Sequence, residues 1–343
     1  MTPRQRVLAA IEHRAPDRTP SDFWAEEATW NRLCTHLGQT DRNRILEHLQ
    51  VDVRHLTVPS LPERAIGNGL VQNMWGERYV YKQTAWGPVR EDVPGALCRA
   101  KSLEDFKSFP WPRPCDLDYS HLAEECRRWE NHALLYGFAD VWQRAALVRG
   151  WEGMFLDMVE HPDWVHWICG KFTDFYHEDY AREAEASDGR IDLYLVISDL
   201  GGQTGPLISL TMFRQFVAPY LQKMIECIHG LGGKVLYHSC GQIRTFIEDL
   251  IQLGVDVLNP IQPVSPEMAP ERLKADFGER LAFHGGIDMQ NLLPLGSPEE
   301  VGEEVEHYCR TLGHHGGYIL APAHLFQPDV PPENILAFYR AGR

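Results

Sequence analysis

The sequence predicts a (β/α)8 barrel, an α/β TIM-barrel fold with an N-terminal extra helix and an inserted hairpin. Three observations carry this expectation. Short apolar runs alternate with helical patterns, the runs number eight, and each is followed by a helical segment. The 343 residues are therefore read as one barrel, 1–343, with an insert at about 60–114. Such barrels run from about 200 to more than 400 residues, so one domain of this length is ordinary.

In chain order, residues 3–13 read as the extra helix and 19–23 as the first strand, followed by a helical stretch at about 27–49. Residues 51–58 and 133–138 supply the second and third strands, with helices at about 118–131 and 144–186. Between them, Trp75, Gly76, Tyr79, Tyr81, Trp86 and Gly87 suggest the hairpin, and Phe109-Pro110-Trp111-Pro112-Arg113-Pro114 its proline-rich return. The later half is more regular. Runs at 193–197, 234–237, 255–258, 281–283 and 318–320 are each bounded by Gly, Pro, Asn or Asp, and helical patterns follow at about 209–230, 242–253, 266–276, 298–312 and 332–341. Ser297-Pro298-Glu299-Glu300 reads as an N-cap, a first-position proline and first-turn acids.

Lys and Arg number 33 against 48 Asp and Glu, a net charge of −15, and no basic cluster interrupts the chain. This argues against a nucleic-acid partner, which needs clustered cations to displace counterions. The apolar run at 7–11 is short and is followed by Glu12, His13 and Arg14, so neither a signal peptide nor a membrane span is expected, and the location expected is cytoplasmic. The 8 cysteines include no C-x-x-C pair and do not suggest a disulfide framework in a chain this long.

In a parallel barrel the working residues stand at the carboxyl ends of the strands. Five successive strand ends here carry polar groups: Asp199 and Gln203, then His238-Ser239-Cys240, then Asn259, then His284 and Asp288, then His324. His238 and Cys240 lie two apart on extended chain and project to one side. Zinc favours such a nitrogen and sulfur pair, and His324 is the best third ligand, provided the loops bring it inward across the mouth. The competing view is a core histidine beside a buried thiol. Asp199 could be a base, a substrate clamp, a partner behind a ligand, or a helix cap. His284 and Asp288 could be ligand contacts or loop hydrogen-bonders. Gly201, Gly202 and Gly205 suit a tight turn, and no G-x-G-x-x-G or Walker A pattern marks a nucleotide site. The aromatic group at 75–86 suits hairpin packing, and His314-His315 a solvated turn.

Several stretches together resemble the uroporphyrinogen decarboxylase superfamily: Arg6-Val7-Leu8-Ala9-Ala10, Pro16-Asp17-Arg18-Thr19-Pro20, Gly202-Gln203-Thr204-Gly205-Pro206-Leu207-Ile208-Ser209, His238-Ser239-Cys240-Gly241, Gly285-Gly286-Ile287-Asp288 and Leu320-Ala321-Pro322. The resemblance spans nearly the whole chain and implies a (β/α)8 barrel. Its nearest branch is that of the corrinoid-dependent methyltransferases, whose H-x-C pair and a later cysteine bind zinc. His238 and Cys240 match the pair, whereas His324 stands near the position of the later cysteine. A site with fewer thiolates is a stronger Lewis acid, better suited to activating a methyl ether, alcohol or amine leaving group than a thiol. The decarboxylases of the superfamily carry an arginine-rich segment near the start to hold eight carboxylates. Here Ser21-Asp22-Phe23-Trp24-Ala25-Glu26-Glu27 offers acids instead.

The function expected is methyl transfer between a small methylated substrate and a corrinoid (cobalamin) cofactor. Zinc would be held by His238, Cys240 and His324; Asp199 or Asp288 would orient the substrate or supply a proton; and Trp24, Gln203, Asn259 and His284 would contact it. Trp24 would suit an aromatic methyl ether, though packing explains it equally well. The corrinoid signature D-x-H-x-x-G is absent, so the cobalamin is expected on a separate corrinoid protein docking over the mouth; a homodimer is also open. The alternatives are a metal-independent decarboxylase using Asp199 and a non-catalytic ligand-binding barrel.

Overall fold

A computed structural model describes residues 1–263 and 265–343. Strands are numbered in chain order: β1 (Val53–His55), β2 (Arg64–Gly67), β3 (Leu70–Gln72), β4 (Arg78–Thr84), β5 (Gly87–Val93), β6 (Ala133–Asp140), β7 (Leu193–Ile197), β8 (Lys234–His238), β9 (Val257–Asn259), β10 (Ala282–His284) and β11 (Tyr318–Ile319). Seven of them form one sheet in the order β1-β6-β7-β8-β9-β10-β11, and every neighbouring pair is parallel.

The run at 19–23 occupies the eighth staves' position and closes this sheet, but with a single bridge, Ser21 to Leu320. On one side Leu320 N donates to Pro20 O (2.8 Å) and Asp22 N to Leu320 O (2.9 Å); on the other Asp52 N donates to Ser21 O (2.9 Å). A longer ladder fails because the segment's donors are spent on side chains. Pro20 has no N–H, Ser21 N donates to Asp52 Oδ2 and Phe23 N to Asp22 Oδ1.

Alternation along the strands fills the barrel with Val53, Leu135, Leu195, Ile197, Leu236, Val257 and Ile319. The expected extra helix, Pro3–Ile11, stoppers the lower end by adding Val7 and Ile11 to that cluster. Arg6 bonds Asp17 and buried Asp52 (2.6 Å each), and Arg18 also reaches Asp52 (2.8 Å), which explains why arginines and an acid recur in this early sequence.

Several expected helices are broken where backbone chemistry requires it. The stretch at 27–49 splits into Glu27–Leu37 and Arg42–His48 at Gly38, which takes φ 59°, a left-handed value that suits glycine. Gly150 and Pro162 likewise divide 144–186 into Trp142–Arg149, Trp151–Glu160 and Pro162–Ala186. Pro219 opens Ala218–Gly230 after the short helix Leu210–Phe216.

The insert contains the expected hairpin, β4–β5, turning between Thr84 and Gly87. Two further antiparallel strands extend it to the order β2-β3-β4-β5. Trp75 anchors the insert to helix Pro162–Ala186, with its ring 4.4 Å from that of Phe175. No helix among the described residues is long and apolar enough to cross a membrane.

The same helix buries two carboxyls against the barrel. Tyr119 donates to Asp179 Oδ1 (2.6 Å) and Tyr194 to Glu183 Oε1 (3.0 Å), while Glu183 Oε2 is buried without a partner. Burial raises Asp179 to about 6 and Glu183 to about 8. A carboxyl whose pKa is raised on folding binds more protons folded than unfolded, so its contribution falls as pH rises from about 4.3 toward the folded value. Glu183→Gln is therefore expected to stabilise the protein at pH 8 by about 1–3 kcal/mol and to change little at pH 5; denaturant melts at both values measure it.

Candidate metal centre at the barrel mouth

The alternation of β8 sends Leu236 into the barrel, Tyr237 outward and His238 inward at the strand's end. The chain then turns at Gly241, φ 81°, where an added Cβ would lie 2.6 Å from the backbone of Gly201. The loops after β7 and β8 thus pack backbone against backbone, which two glycines permit. Leu200 N donates to Ser239 Oγ (3.0 Å) and Cys240 N to Asp199 Oδ1 (2.8 Å), so the β7 loop fixes the thiol's position. Cys240 Sγ comes to 3.5 Å from His238 Nε2. His324, on the loop after β11, faces them with its ring 5.5 Å from that of His238. One donor atom from each of His238, Cys240 and His324 lies within 4.8 Å of the others.

A tetrahedral zinc with bonds of about 2.0–2.3 Å separates its ligand atoms by about 3.3–3.8 Å. Shifts of about 1 Å, within reach of rotamer adjustment, bring these three atoms to that spacing. The donor set fits zinc, with a fourth position left for water or substrate.

The protonation of His238 follows from its neighbours, starting at Asp22. Asp22 is fully buried, and its oxygens receive Trp24 Nε1 (2.5 Å), His55 Nε2 (2.8 Å) and His284 Nε2 (3.1 Å). Burial works to raise its pKa, but the charge of His55 and the hydrogen bonds from His284 and His55 outweigh it and hold Asp22 well below the usual carboxylate range. An ionised carboxylate only accepts, so His284 Nε2 donates to it, and because an amide nitrogen only donates, His284 Nδ1 accepts from Asn259 Nδ2 (2.6 Å). That orientation turns Asn259 Oδ1 to His238 Nδ1 (2.5 Å), which must donate. The lone pair of His238 is left on Nε2, the atom beside Cys240. Supporting shells of this kind orient metal-binding imidazoles.

Burial lowers the pKa of His238, with nearby Asp199 opposing, and lowers that of His324. Both rings are thus disposed to be neutral, as ligands must be. Burial and then the charge of Asp199, 3.7 Å from His238 Nε2, push the Cys240 thiol up to about 12.

Two cavities meet at this point. One, about 410 Å3, is largely apolar, with Trp24, Trp30, Trp129 and Phe138 in its wall. The other, about 450 Å3, is polar and is roofed by Glu63, Glu77 and Arg90 of the insert, above Asp140, Arg144 and Asp199. Phe138, Ile197, His238 and His324 border both. A bulge in β6 at Gly137, φ 100°, turns Phe138 into the mouth.

Of the residues singled out in the sequence, His238, Cys240, His324, Asp199, Trp24, Asn259 and His284 come together, Asn259 and His284 standing behind the donor cluster. Asp288 and Gln203 do not. The Asp288 carboxylate accepts from Gln290 N and Asn291 Nδ2 within its own turn, and Gln203 is exposed on the β7 loop; neither borders either cavity.

Asp22, Asp140, Arg144 and Arg54 were not singled out. Asp140 ends β6, and burial, against the opposing charge of Arg144, raises it to about 7. The strand-end rule applied to β6 marks Asp140; nothing local marks the others.

A family model described as uroporphyrinogen decarboxylase (URO-D) matches residues 103–343. A uroporphyrinogen decarboxylase of Shewanella loihica is 26% identical over 301 residues, covering 83% of this chain and 75% of that protein. One of Serratia proteamaculans is 41% identical over 134 residues, spanning 38% of this chain but only 36% of its relative's length. Among solved structures, a methyltransferase from Methanosarcina mazei superposes over 100% of this chain and 98% of its own, with a TM-score of 0.70 at 16% identity. At that identity the likeness is one of fold.

Proposed function

The chain belongs to the uroporphyrinogen decarboxylase (URO-D) family, and from that premise we propose that it is a zinc-dependent methyltransferase, moving a methyl group from a small methylated substrate to a corrinoid carried by a separate protein. The observation that carries the proposal is the convergence of His238, Cys240 and His324 at the mouth, with the Nε2 lone pair of His238 set by the hydrogen bonds through Asn259 and His284 to Asp22. Zinc bound there would supply a Lewis acid to polarise the heteroatom that bears the methyl group.

The chain's own residues do the rest. The apolar cavity holds the body of the substrate away from water, and Phe138 and Ile197 close it beside the donor cluster. Asp199, fixed by the Cys240 amide, orients the reacting group. A corrinoid in its Co(I) state would supply the electron pair that takes up the methyl carbon, while the methyl–heteroatom bond breaks and the heteroatom keeps the bonding pair and takes a proton. Asp140, with a pKa of about 7 in the adjoining cavity, is the group suited to give that proton, a role for which Asp288 is not placed.

The names of the curated relatives favour a second reading, decarboxylation of a carboxylated tetrapyrrole. The charge at the mouth weighs against it. Arg144 and Arg90 of the polar cavity both pair with Glu77 (2.6 and 3.0 Å), and Glu63, Asp92 and Asp199 line the same space. Eight carboxylates would meet mainly acids.

The test mixes zinc-loaded protein with a Co(I) corrinoid and a panel of methyl donors, following the corrinoid's visible spectrum. A change that depends on donor and is absent in Cys240→Ala is expected. Protein that holds no stoichiometric zinc, with turnover unaltered in Cys240→Ala, overturns the proposal; release of carbon dioxide from a carboxylated tetrapyrrole supports the second reading.

A further inference from the structure

The polar cavity beside the donor cluster holds more negative charge than its own cations balance. Five acids line it, Glu63, Glu77, Asp92, Asp140 and Asp199, against two cations, Arg90 and Arg144. Both arginines are already taken. Glu77 receives Arg144 (2.6 Å) and Arg90 (3.0 Å), and Arg90 also reaches Asp92 (2.7 Å). Glu63, Asp140 and Asp199 pair with no lysine or arginine among the described residues. Burial lowers His238 and His324 from their ordinary values, so the lining imidazoles add no compensating charge at neutral pH.

Asp140 is the acid that this imbalance leaves most in need of a partner. It ends β6 and is 3% exposed. Oδ1 accepts from Gln143 N (2.9 Å) and caps the start of helix Trp142–Arg149. Oδ2 accepts no hydrogen bond from the described residues and, unlike the sealed polar atoms of the interior, keeps contact with open space. The open space that Asp140 borders is this cavity. A carboxylate withdrawn from bulk water without a cation is costly, and a cation bound opposite it recovers that cost.

A metal ion does not suit the vacancy, because these carboxylates do not converge. The donors close enough together to share an ion are His238, Cys240 and His324 among the described residues. An organic cation does suit it. Phe138 offers an aromatic side chain in the wall, of the kind that attracts ammonium groups. Phe138, Ile197, His238 and His324 border both cavities, so one ligand can keep an apolar body in the first and a charged end in the second.

We propose that this site takes an organic ammonium, its apolar body in the first cavity and its charged nitrogen beside the donor cluster, facing Asp140 in the second. That the nitrogen bears the transferred methyl group, which makes the substrate an N-methylated amine and not an ether or alcohol, rests on the methyltransferase proposal above; the binding of the cation does not. The proton balance then closes at Asp140. The carboxylate takes an N–H proton, which frees the nitrogen lone pair. The methyl carbon leaves its bonding pair on nitrogen and joins a Co(I) corrinoid, which becomes methyl-Co(III), and Asp140 returns the proton to the nitrogen.

Calorimetry tests the binding on the zinc-free chain at about pH 7.5, where a secondary amine is protonated. The probes are N-methylbenzylamine and its neutral isostere benzyl methyl ether, titrated into the wild type and Asp140→Asn. The wild type is expected to bind the amine at least about tenfold tighter than the ether, and Asp140→Asn to lose most of that preference. Equal binding of amine and ether, or no saturation by the amine below about 10 mM, overturns the proposal, and so does a preference that Asp140→Asn leaves intact. Asparagine keeps an oxygen for the cap on Gln143 N; if the variant still does not fold, the wild-type comparison decides alone. Methyl transfer is read separately, with zinc and a Co(I) corrinoid. An amine that binds through Asp140 but is never demethylated counts against the methyltransferase proposal and leaves the cation site standing, whereas demethylation of the ether in preference to the amine overturns the amine as substrate.

Discussion

Cys240→Ala is expected to lower zinc affinity by more than about 100-fold and to abolish the affinity's dependence on pH between about 6.5 and 8.5. Both effects come from the protonation states at the mouth. The thiol, raised to about 12 by burial and the neighbouring Asp199 charge, carries its proton throughout this range. His238 and His324 are lowered from their ordinary value and are neutral there. Zinc takes a thiolate and neutral imidazoles, so uptake by the wild type releases one proton, and it comes from Cys240. Releasing one proton makes the affinity rise about tenfold per pH unit. Without the thiol no proton is released, and the slope goes to zero as the affinity falls. Cys240 N keeps its bond to Asp199 whatever the side chain, so the turn itself should survive. Competition against a chelator at three pH values measures slope and affinity together. A wild-type affinity that does not change with pH would remove Cys240 from the site.

The parts of this centre differ in how far the sequence displays them. Strand ends are local: alternation and turn residues place His238, Cys240 and Asp199 without knowledge of the rest, and the terminal strand places His324. The barrel is legible for the same reason, because each strand–helix unit repeats a short-range pattern. Where the expectation and the structure differ, non-local partners decide. The run at 19–23 has a strand's composition, yet its amides bond to Asp52 and Asp22 side chains and leave one bridge. Asp288 has the strand-end position of a catalytic acid but is taken up by the turn that follows. Asp22 was visible as an acid in the early segment, but its role depends on His284, 262 residues away.

Asp22→Asn should reach the candidate metal site without touching any of its three donor residues, costing about 3 kcal/mol of stability and about 10–100-fold in zinc affinity. The carboxylate accepts four donors: Phe23 N and His55 Nε2 on one oxygen, Trp24 Nε1 and His284 Nε2 on the other. An amide replaces one of those oxygens with a donor, so either orientation sets N–H groups against two N–H groups, and hydrogen bonds to a charged acceptor are worth about 1.5–3 kcal/mol each. The Trp24 indole and the Phe23 backbone cannot yield, whereas an imidazole can move its proton. If His284 protonates Nδ1 instead of Nε2, Asn259 must turn its carbonyl toward His284 and its amide toward His238. His238 Nδ1 then accepts, and the proton moves to Nε2, the atom that faces Cys240. A change in one buried acid thereby occupies the lone pair that zinc needs. Nitrogen chemical shifts of His238 report that tautomer directly, and chelator competition reports the affinity. The acid limb supplies an independent check. Asp22 sits below its unfolded value of about 3.9, so its stabilisation is complete above that pH and is lost as pH falls toward the folded value. The variant should therefore lose less stability than the wild type between about pH 5 and pH 3. Zinc affinity and His238 tautomer both unchanged in a destabilised Asp22→Asn protein would mean that Asp22 holds the fold alone, and that the orientation of His238 is set at Asn259.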